Sequence, residues 1–254
     1  MALNLDKMKK KLETLKSNGA GGASAFWKPQ EGEQTIRILS TEDGDPFKDY
    51  HFHYVKASGR TNSVMCPKRN FGEDCPICEF ASSLWEESKN GSSNAEASAT
   101  EAKKLFAKQR FFSPVVVRGQ EDNGPKVWGF SKTIYEQLLS AVCDPDYGDI
   151  TDPQEGNDIR LTYGRSPNRL FPETKITVRP IKTTLTEDED KTSALLTTIP
   201  DFSTLFEQKS TADVQEILNQ YMVSEDAEDS PDVVTQNEGG IDSIEKSFND
   251  LLSA

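Results

Sequence analysis

The sequence predicts an α+β, mainly β chain: an OB-like barrel core with helical insertions, carrying a metal-binding subdomain and ending in a disordered acidic tail. Three observations carry this prediction. Short runs of β-branched and aromatic residues recur between turn signals, a compact His and Cys group has metal-ligand spacing, and charge is segregated to the two ends.

Residues 1–22 read as a basic arm. Leu5, Met8, Leu12 and Leu15 recur at helical spacing among Lys7, Lys9, Lys10, Lys11 and Lys16, which describes a short amphipathic helix, and Asn18 to Gly22 supplies a hinge. The reading is divided between a solvated Lys-rich helix and an arm that docks on another protomer or on phosphates. Residues 23–223 form the core. Its predicted strands are Thr35 to Leu39, Phe47 to Val55, Arg110 to Val117, Lys126 to Phe130, Ile159 to Tyr163 and Lys175 to Val178. So many short strands fit a small sheet or a five-stranded OB-like barrel. Predicted helices interrupt it at Ala95 to Lys108 and across Ile134, Leu138, Leu139 and Val142. Ser210 and Asp213 have capping-box spacing ahead of Val214, Ile217, Leu218, Tyr221 and Met222, one face of a helix packed on the core. Residues 224–254 are acidic and poor in aromatics, so they cannot bury enough apolar surface to offset ordering and are expected to be disordered. Phe248, Asp250, Leu251 and Leu252 within them look like a motif that folds on a partner.

The 254 residues carry a net charge of −13, with +3 in residues 1–16 and −8 in residues 224–254, leaving −8 between them. That acidic middle opposes a phosphate-binding reading unless basic residues are gathered locally. No apolar run is long enough for a membrane span and no signal-peptide pattern begins the chain, so a cytoplasmic location is expected.

His53, Cys66, Cys75 and Cys78 follow the pattern His-x12-Cys-x8-Cys-x2-Cys within a subdomain at about 47–92. One imidazole and three thiolates suit a single structural zinc ion, and the Cys75-Pro76-Ile77-Cys78 knuckle lets two sulfurs reach one ion from a tight turn. A hairpin turning through Ser58 to Ser63 brings His53 and Cys66 together, and Ile77, Phe80, Ala81, Leu84 and Trp85 read as an adjoining helix. A disulfide, a redox pair and coincidence are the alternatives, and His51 competes with His53 because both share a strand face. Cys143 stands apart and reads as a small buried hydrophobe. Four protein ligands leave no open position for a catalytic water, so the chain reads as no enzyme, with an acidic metal site the remaining route to activity.

Basic residues recur beside aromatic ones, a combination that suits single-stranded nucleic acid: cations neutralise phosphates while rings stack unpaired bases. Lys56, Arg60, Lys68, Arg69 and Phe71 flank the proposed ligands. Lys108 and Arg110 lead into Phe111 and Phe112, while Lys126 and Lys132 bracket Trp128 and Phe130. Arg165 and Arg169 accompany Tyr163 and Phe171. Strand alternation places Trp128 and Phe130 on one face and turns one of Phe111 and Phe112 outward. For any single ring, a place in the core is the competing reading.

The order of these features resembles the single-stranded DNA-binding, helix-destabilising protein family of T-even-type bacteriophages. The resemblance rests on the Lys-rich arm, His53 with Cys66 and Cys75 to Cys78, Lys108 to Phe112 running into Val115 to Val117, Lys126 to Trp128, and the acidic end with Asn249 to Leu252. It implies a zinc-holding OB-fold that binds single strands without sequence preference in phage DNA replication, recombination and repair, inside the infected host cell. It further implies head-to-tail cooperativity through Lys7, Lys9, Lys10 and Lys11, and a tail that contacts replication and recombination proteins. The rival reading is a zinc-containing protein-interaction or transcription-accessory protein, which explains the −8 middle more easily.

Overall fold

A computed structural model describes residues 25–57, 60–90, 94–165 and 171–228. The basic arm with Lys7, Lys9, Lys10 and Lys11, together with Arg169 and the tail motif Phe248, Asp250, Leu251 and Leu252, lie outside the described residues. Eight strands make one sheet. Its main path runs β1 (Phe26–Trp27), β6 (Lys126–Phe130), β5 (Lys108–Val117), β2 (Gly32–Ile38), β7 (Gly156–Arg165) and β8 (Pro172–Thr183). Off this path, β3 (Lys48–Ala57) pairs with β5 and carries β4 (Arg60–Met65). Every pairing is antiparallel except β1 with β6. The two ends of the path, β1 and β8, are not paired with each other among the described residues.

The ten residues of β5 join the parts. Along one edge Lys108 to Phe112 pair with β3 and Val115 to Val117 pair with β2, while Phe111 to Val115 pair with β6 along the other. Pro114 has no N–H to give a ladder and sits where the first edge changes partner. Both faces of β5 are covered. Phe111, Val115 and Val117 enter a core with Ile36, Trp128, Phe130, Ile159 and Leu161, whereas Phe112 enters an aromatic cluster with Phe52, Tyr54, Phe202 and Phe206. The expectation that one of Phe111 and Phe112 faces outward is therefore corrected: the alternation holds, but each side of the sheet meets its own apolar layer.

Seven α-helices are described: α1 (Pro67–Phe71), α2 (Pro76–Lys89), α3 (Ala95–Leu105), α4 (Lys132–Val142), α5 (Glu189–Thr197), α6 (Phe202–Leu205) and α7 (Thr211–Glu228). In α4, Ile134, Leu138 and Ala141 fall at helical spacing and pack on the main core. Cys143 caps the end of α4 and is exposed, contrary to the buried hydrophobe expected, because the apolar stripe has ended by then. Ser210 and Asp213 form the reciprocal cap expected: the Asp213 N–H donates to Ser210 Oγ and the Ser210 N–H to Asp213 Oδ2, each at 3.2 Å. Val214, Leu218 and Tyr221 of α7 then pack on the lobe that carries Val55, Val64, Cys66 and Cys75. The helix runs to Glu228, so helical backbone passes the boundary at residue 224 at which the tail was expected to begin. Arg60 to Ser63, read as a turn, form most of β4 because their pairing with β3 continues to the hairpin end.

Arg37 is 1% exposed, and its guanidinium is held by Asp158 at 3.0 Å, by the Asp152 carbonyl at 3.1 Å and by the Thr183 carbonyl at 2.8 Å. Arg118 donates to the same carboxylate at 2.9 Å. One buried network thus ties β2 to β7 and to the end of β8. Gly156 is needed beside it, because a Cβ there would lie 2.4 Å from the Asp152 carbonyl oxygen and 2.8 Å from Arg37 Nη1. Burial pulls the Arg37 pKa below its usual value, with Asp158 opposing that shift. Asp158→Ala should leave the buried guanidinium without its carboxylate and cost about 3–5 kcal/mol, read from urea unfolding. A loss under about 1 kcal/mol would show that the network does not hold these strands.

Candidate metal centre and nucleic-acid interface

The four expected ligand residues converge. One ligand atom from each of His53, Cys66, Cys75 and Cys78 lies within 4.8 Å of the others, so the group could hold a metal ion. His53 sits on β3, whose alternation sends Phe52 and Tyr54 into the aromatic cluster and turns His53 and Val55 toward the opposite face. Opposite His53 in the hairpin is Val64, so Cys66 follows one residue beyond the end of β4. Cys75 is the N-cap of α2, and Cys78 stands three positions on in its first turn. That is why a two-residue spacer works: a cap and its third helical neighbour face the same side, and the unpaired N–H groups of a helix start favour thiolate charge. Pro76, which has no N–H, occupies the first helical position at no cost in hydrogen bonds.

Three of the six donor–donor distances come close to those around a tetrahedral ion. His53 Nε2 lies 3.3 Å from Cys75 Sγ and 3.5 Å from Cys78 Sγ, and the Cys66 and Cys78 sulfurs are 3.5 Å apart. Four donors around one zinc ion stand about 3.6–3.8 Å apart given zinc–ligand bonds of about 2.0–2.3 Å. The other ring nitrogen, Nδ1, is 2.7 Å from the carbonyl of Leu105; donating its proton there leaves the Nε2 lone pair for the metal. Sulfur crowding splits the thiols. Hydrogen bonds from Cys75 and then Cys78 pull Cys66 down to about 3, while those from Cys66 and Cys75 push Cys78 upward. A divalent cation among three sulfurs relieves that conflict by favouring all three thiolates. His51 is not in the cluster; its backbone is held by Asn70, which accepts from the His51 N–H at 2.9 Å and donates to its carbonyl at 2.8 Å. Of the two histidines, His53 is the one that stands among the sulfurs.

A second feature opens between β6, α4, β7 and β8. It is a cleft of about 650 Å³ whose walls include Lys28, Arg110, Trp128, Phe130, Tyr163, Glu173 and Lys175. Among the described residues, three cations and one carboxylate line it, with Lys175 paired to Glu173 at 2.7 Å. Here local charge departs from the acidic average of the chain.

The structure brings Arg110, Trp128, Phe130 and Tyr163 of the expected DNA-binding residues into this one cleft. Lys28 and Lys175, outside the expected set, also line it: Lys28 follows Trp27 and carries the basic-beside-aromatic signal, whereas Lys175 opens an expected strand between Thr174 and Ile176 and carries none. Trp128 and Phe130 share a face as predicted but are buried, with ring centroids 4.6 Å apart, so they form the cleft's apolar floor. Tyr163 is half-buried at the wall. Phe111 stacks on Tyr135 at 4.1 Å, and with Phe112 is wholly given to the core; neither offers a face to a base. Lys132 pairs with Glu136 at 3.6 Å beside the cleft, Lys126 is half-buried, Arg165 is exposed and Phe171 half-buried. Lys108 points its ammonium to the Lys103 carbonyl at 3.2 Å. Lys56 and Arg60 project from the β3–β4 hairpin, and Lys68, Arg69 and Phe71 from α1, all exposed and away from the cleft lining.

A family model described as gp32 DNA binding protein like matches residues 30–222, which takes in the four ligand residues and all the named cleft residues except Lys28. A search of curated proteins finds no match.

Metal analysis of the purified chain should give one ion per molecule. Stripping it, or replacing Cys75 with Ser, should lower the thermal midpoint by about 10 °C or more, because an ion held there would bridge β3, α1 and α2. A metal-free chain with an unchanged midpoint would exclude a structural centre.

Proposed function

The chain belongs to the gp32-like family of DNA-binding proteins, and on that premise we propose that it binds single-stranded DNA, without sequence preference, in the cleft lined by Lys28, Arg110, Tyr163 and Lys175. The observation that carries this is the gathering of three cations and a half-buried tyrosine over an apolar floor in a chain whose net charge is −13. Cations neutralise phosphates and release counterions, while a ring takes an unpaired base; a base stack is worth about 1–3 kcal/mol. A duplex hides its base faces, so the cleft selects the single strand. No bond is made or broken in this function.

The bound ion is zinc, held by His53, Cys66, Cys75 and Cys78, and its work is to fix the lobe that β3 and β4 present to the sheet. The core is an OB-like barrel with helical insertions. Lys7, Lys9, Lys10 and Lys11 serve contacts between protomers along the strand. The acidic tail, with Phe248, Asp250, Leu251 and Leu252, recruits replication, recombination and repair proteins and competes with DNA for the cleft, since a tethered segment has a high effective concentration. The setting is the cytoplasm of an infected cell. No described helix is long and apolar enough to cross a membrane.

Replacing Lys28 and Lys175 with Gln should weaken binding to an oligothymidine strand and reduce the slope of log affinity against log salt by about 0.7 for each phosphate no longer neutralised. Deleting residues 229–254 should raise affinity at low salt. No single-strand binding at low salt, even after that deletion, would refute the proposal in favour of a protein-interaction module.

A further inference from the structure

The four ligand residues are not equally sheltered. His53, Cys66 and Cys75 are buried, whereas Cys78 is half-buried and forms part of the wall of a groove of about 460 Å³. Among the described residues that groove is lined by Lys68, Arg69, Ser82, Phe106 and Ala107 besides Cys78, two cations with no carboxylate. Lys68 and Arg69 are exposed on α1, and the Arg69 N–H donates to Cys66 Sγ at 3.4 Å. The Cys78 sulfur stands 3.5 Å from that of Cys66.

We propose that Cys78 is a thiol–disulfide exchange site, the point at which small anionic disulfides enter and discharge the metal centre. The chemistry balances without any other oxidant. The Cys78 thiolate attacks one sulfur of the incoming disulfide; a new S–S bond forms, the old one breaks, and the leaving thiolate carries off the electron pair. Cys66 then attacks the Cys78 sulfur of that mixed disulfide, the second small thiolate leaves, and the protein holds a Cys66–Cys78 bond. Two protein thiolates are oxidised by two electrons and one disulfide is reduced to two thiolates. The ion keeps only His53 and Cys75 as ligands and dissociates. The sulfurs need to close from 3.5 Å to about 2.05 Å to make that bond. Lys68 and Arg69 favour the step twice, by raising the local concentration of an anionic disulfide and by stabilising the negative charge of the departing thiolate.

This inference rests on the metal reading. The test uses full-length Cys143→Ser protein, which removes the exposed thiol outside the site, with its metal content measured first. It is mixed with a dianionic aromatic disulfide; released aryl thiolate and released zinc are followed by absorbance, and modified cysteines are located by peptide mass spectrometry. The expected result is first modification at Cys78, a Cys66–Cys78 disulfide as end product, and zinc release in step with it. In Lys68→Gln, Arg69→Gln protein with unchanged zinc content and thermal midpoint, the rate should fall about threefold or more for the anionic reagent and by a smaller factor for a neutral one, which loses only the stabilisation of the departing thiolate. First modification at Cys66 or Cys75, a Cys75–Cys78 end product, or equal slowing with both reagents would overturn the proposal. Protein that binds no zinc at all would instead overturn the metal reading beneath it.

Discussion

Four side chains that could hold one metal ion converge from β3, from the residue after β4 and from the start of α2. Their convergence depends on the position of β3. Because β3 also pairs with the first half of β5, it fixes the strand from which Arg110 reaches the cleft. The candidate metal centre and the proposed nucleic-acid cleft are thus linked through two strands of one ladder. The His53 ring is held at both nitrogens, by the Leu105 carbonyl on one side and the sulfurs on the other, so the end of α3 is drawn into the same arrangement.

Away from that lobe, the sheet is held by burial on both faces and by one ionic network. Phe112 meets Phe206 at 4.8 Å and Phe111 meets Tyr135 at 4.1 Å, so consecutive residues of one strand serve different apolar layers. Arg37 and Asp158 sit where β2 and β7 pair and the chain leaves β8. A buried guanidinium adds little net stability over an apolar pair, yet it strongly penalises any arrangement that leaves it unpaired. The aromatic residues that give this core its bulk are therefore largely spent on packing. The cleft keeps Tyr163 at its wall and turns Trp128 and Phe130 into a floor.

Much of this was legible in the sequence. The ligand quartet was, because a Cys-x-x-Cys knuckle is a local geometric device and the His-to-Cys spacing matches a hairpin. The strand of Lys126 to Phe130 and the cap of Ser210 with Asp213 were too, since both depend on near neighbours. What escaped depended on distant partners. Phe111 and Phe112 cannot reveal from alternation that both faces of their strand are covered. Arg37 gives no local sign that its carboxylate lies 121 residues on. Lys28 and Lys175 are far apart in the chain and become neighbours of Arg110 only when β1, β5 and β8 assemble. The short helices α1, α5 and α6 lack the length for a periodic signal, and α5 and α6 begin instead on Asp188 and Asp201, caps whose carboxylates accept backbone N–H groups at 2.9 Å.

The cleft between β6, α4, β7 and β8 is the proposed seat of the single strand, and the most direct measurement is where that strand touches. Bromodeoxyuridine-substituted single-stranded DNA, crosslinked by ultraviolet light to the full chain and mapped by peptide mass spectrometry, should mark Tyr163 and the peptides bearing Lys28 and Lys175. Excess unlabelled single strand should abolish the marks and duplex should not. Crosslinks confined to the α1 and α2 surface, or spread evenly over the chain, would contradict the account.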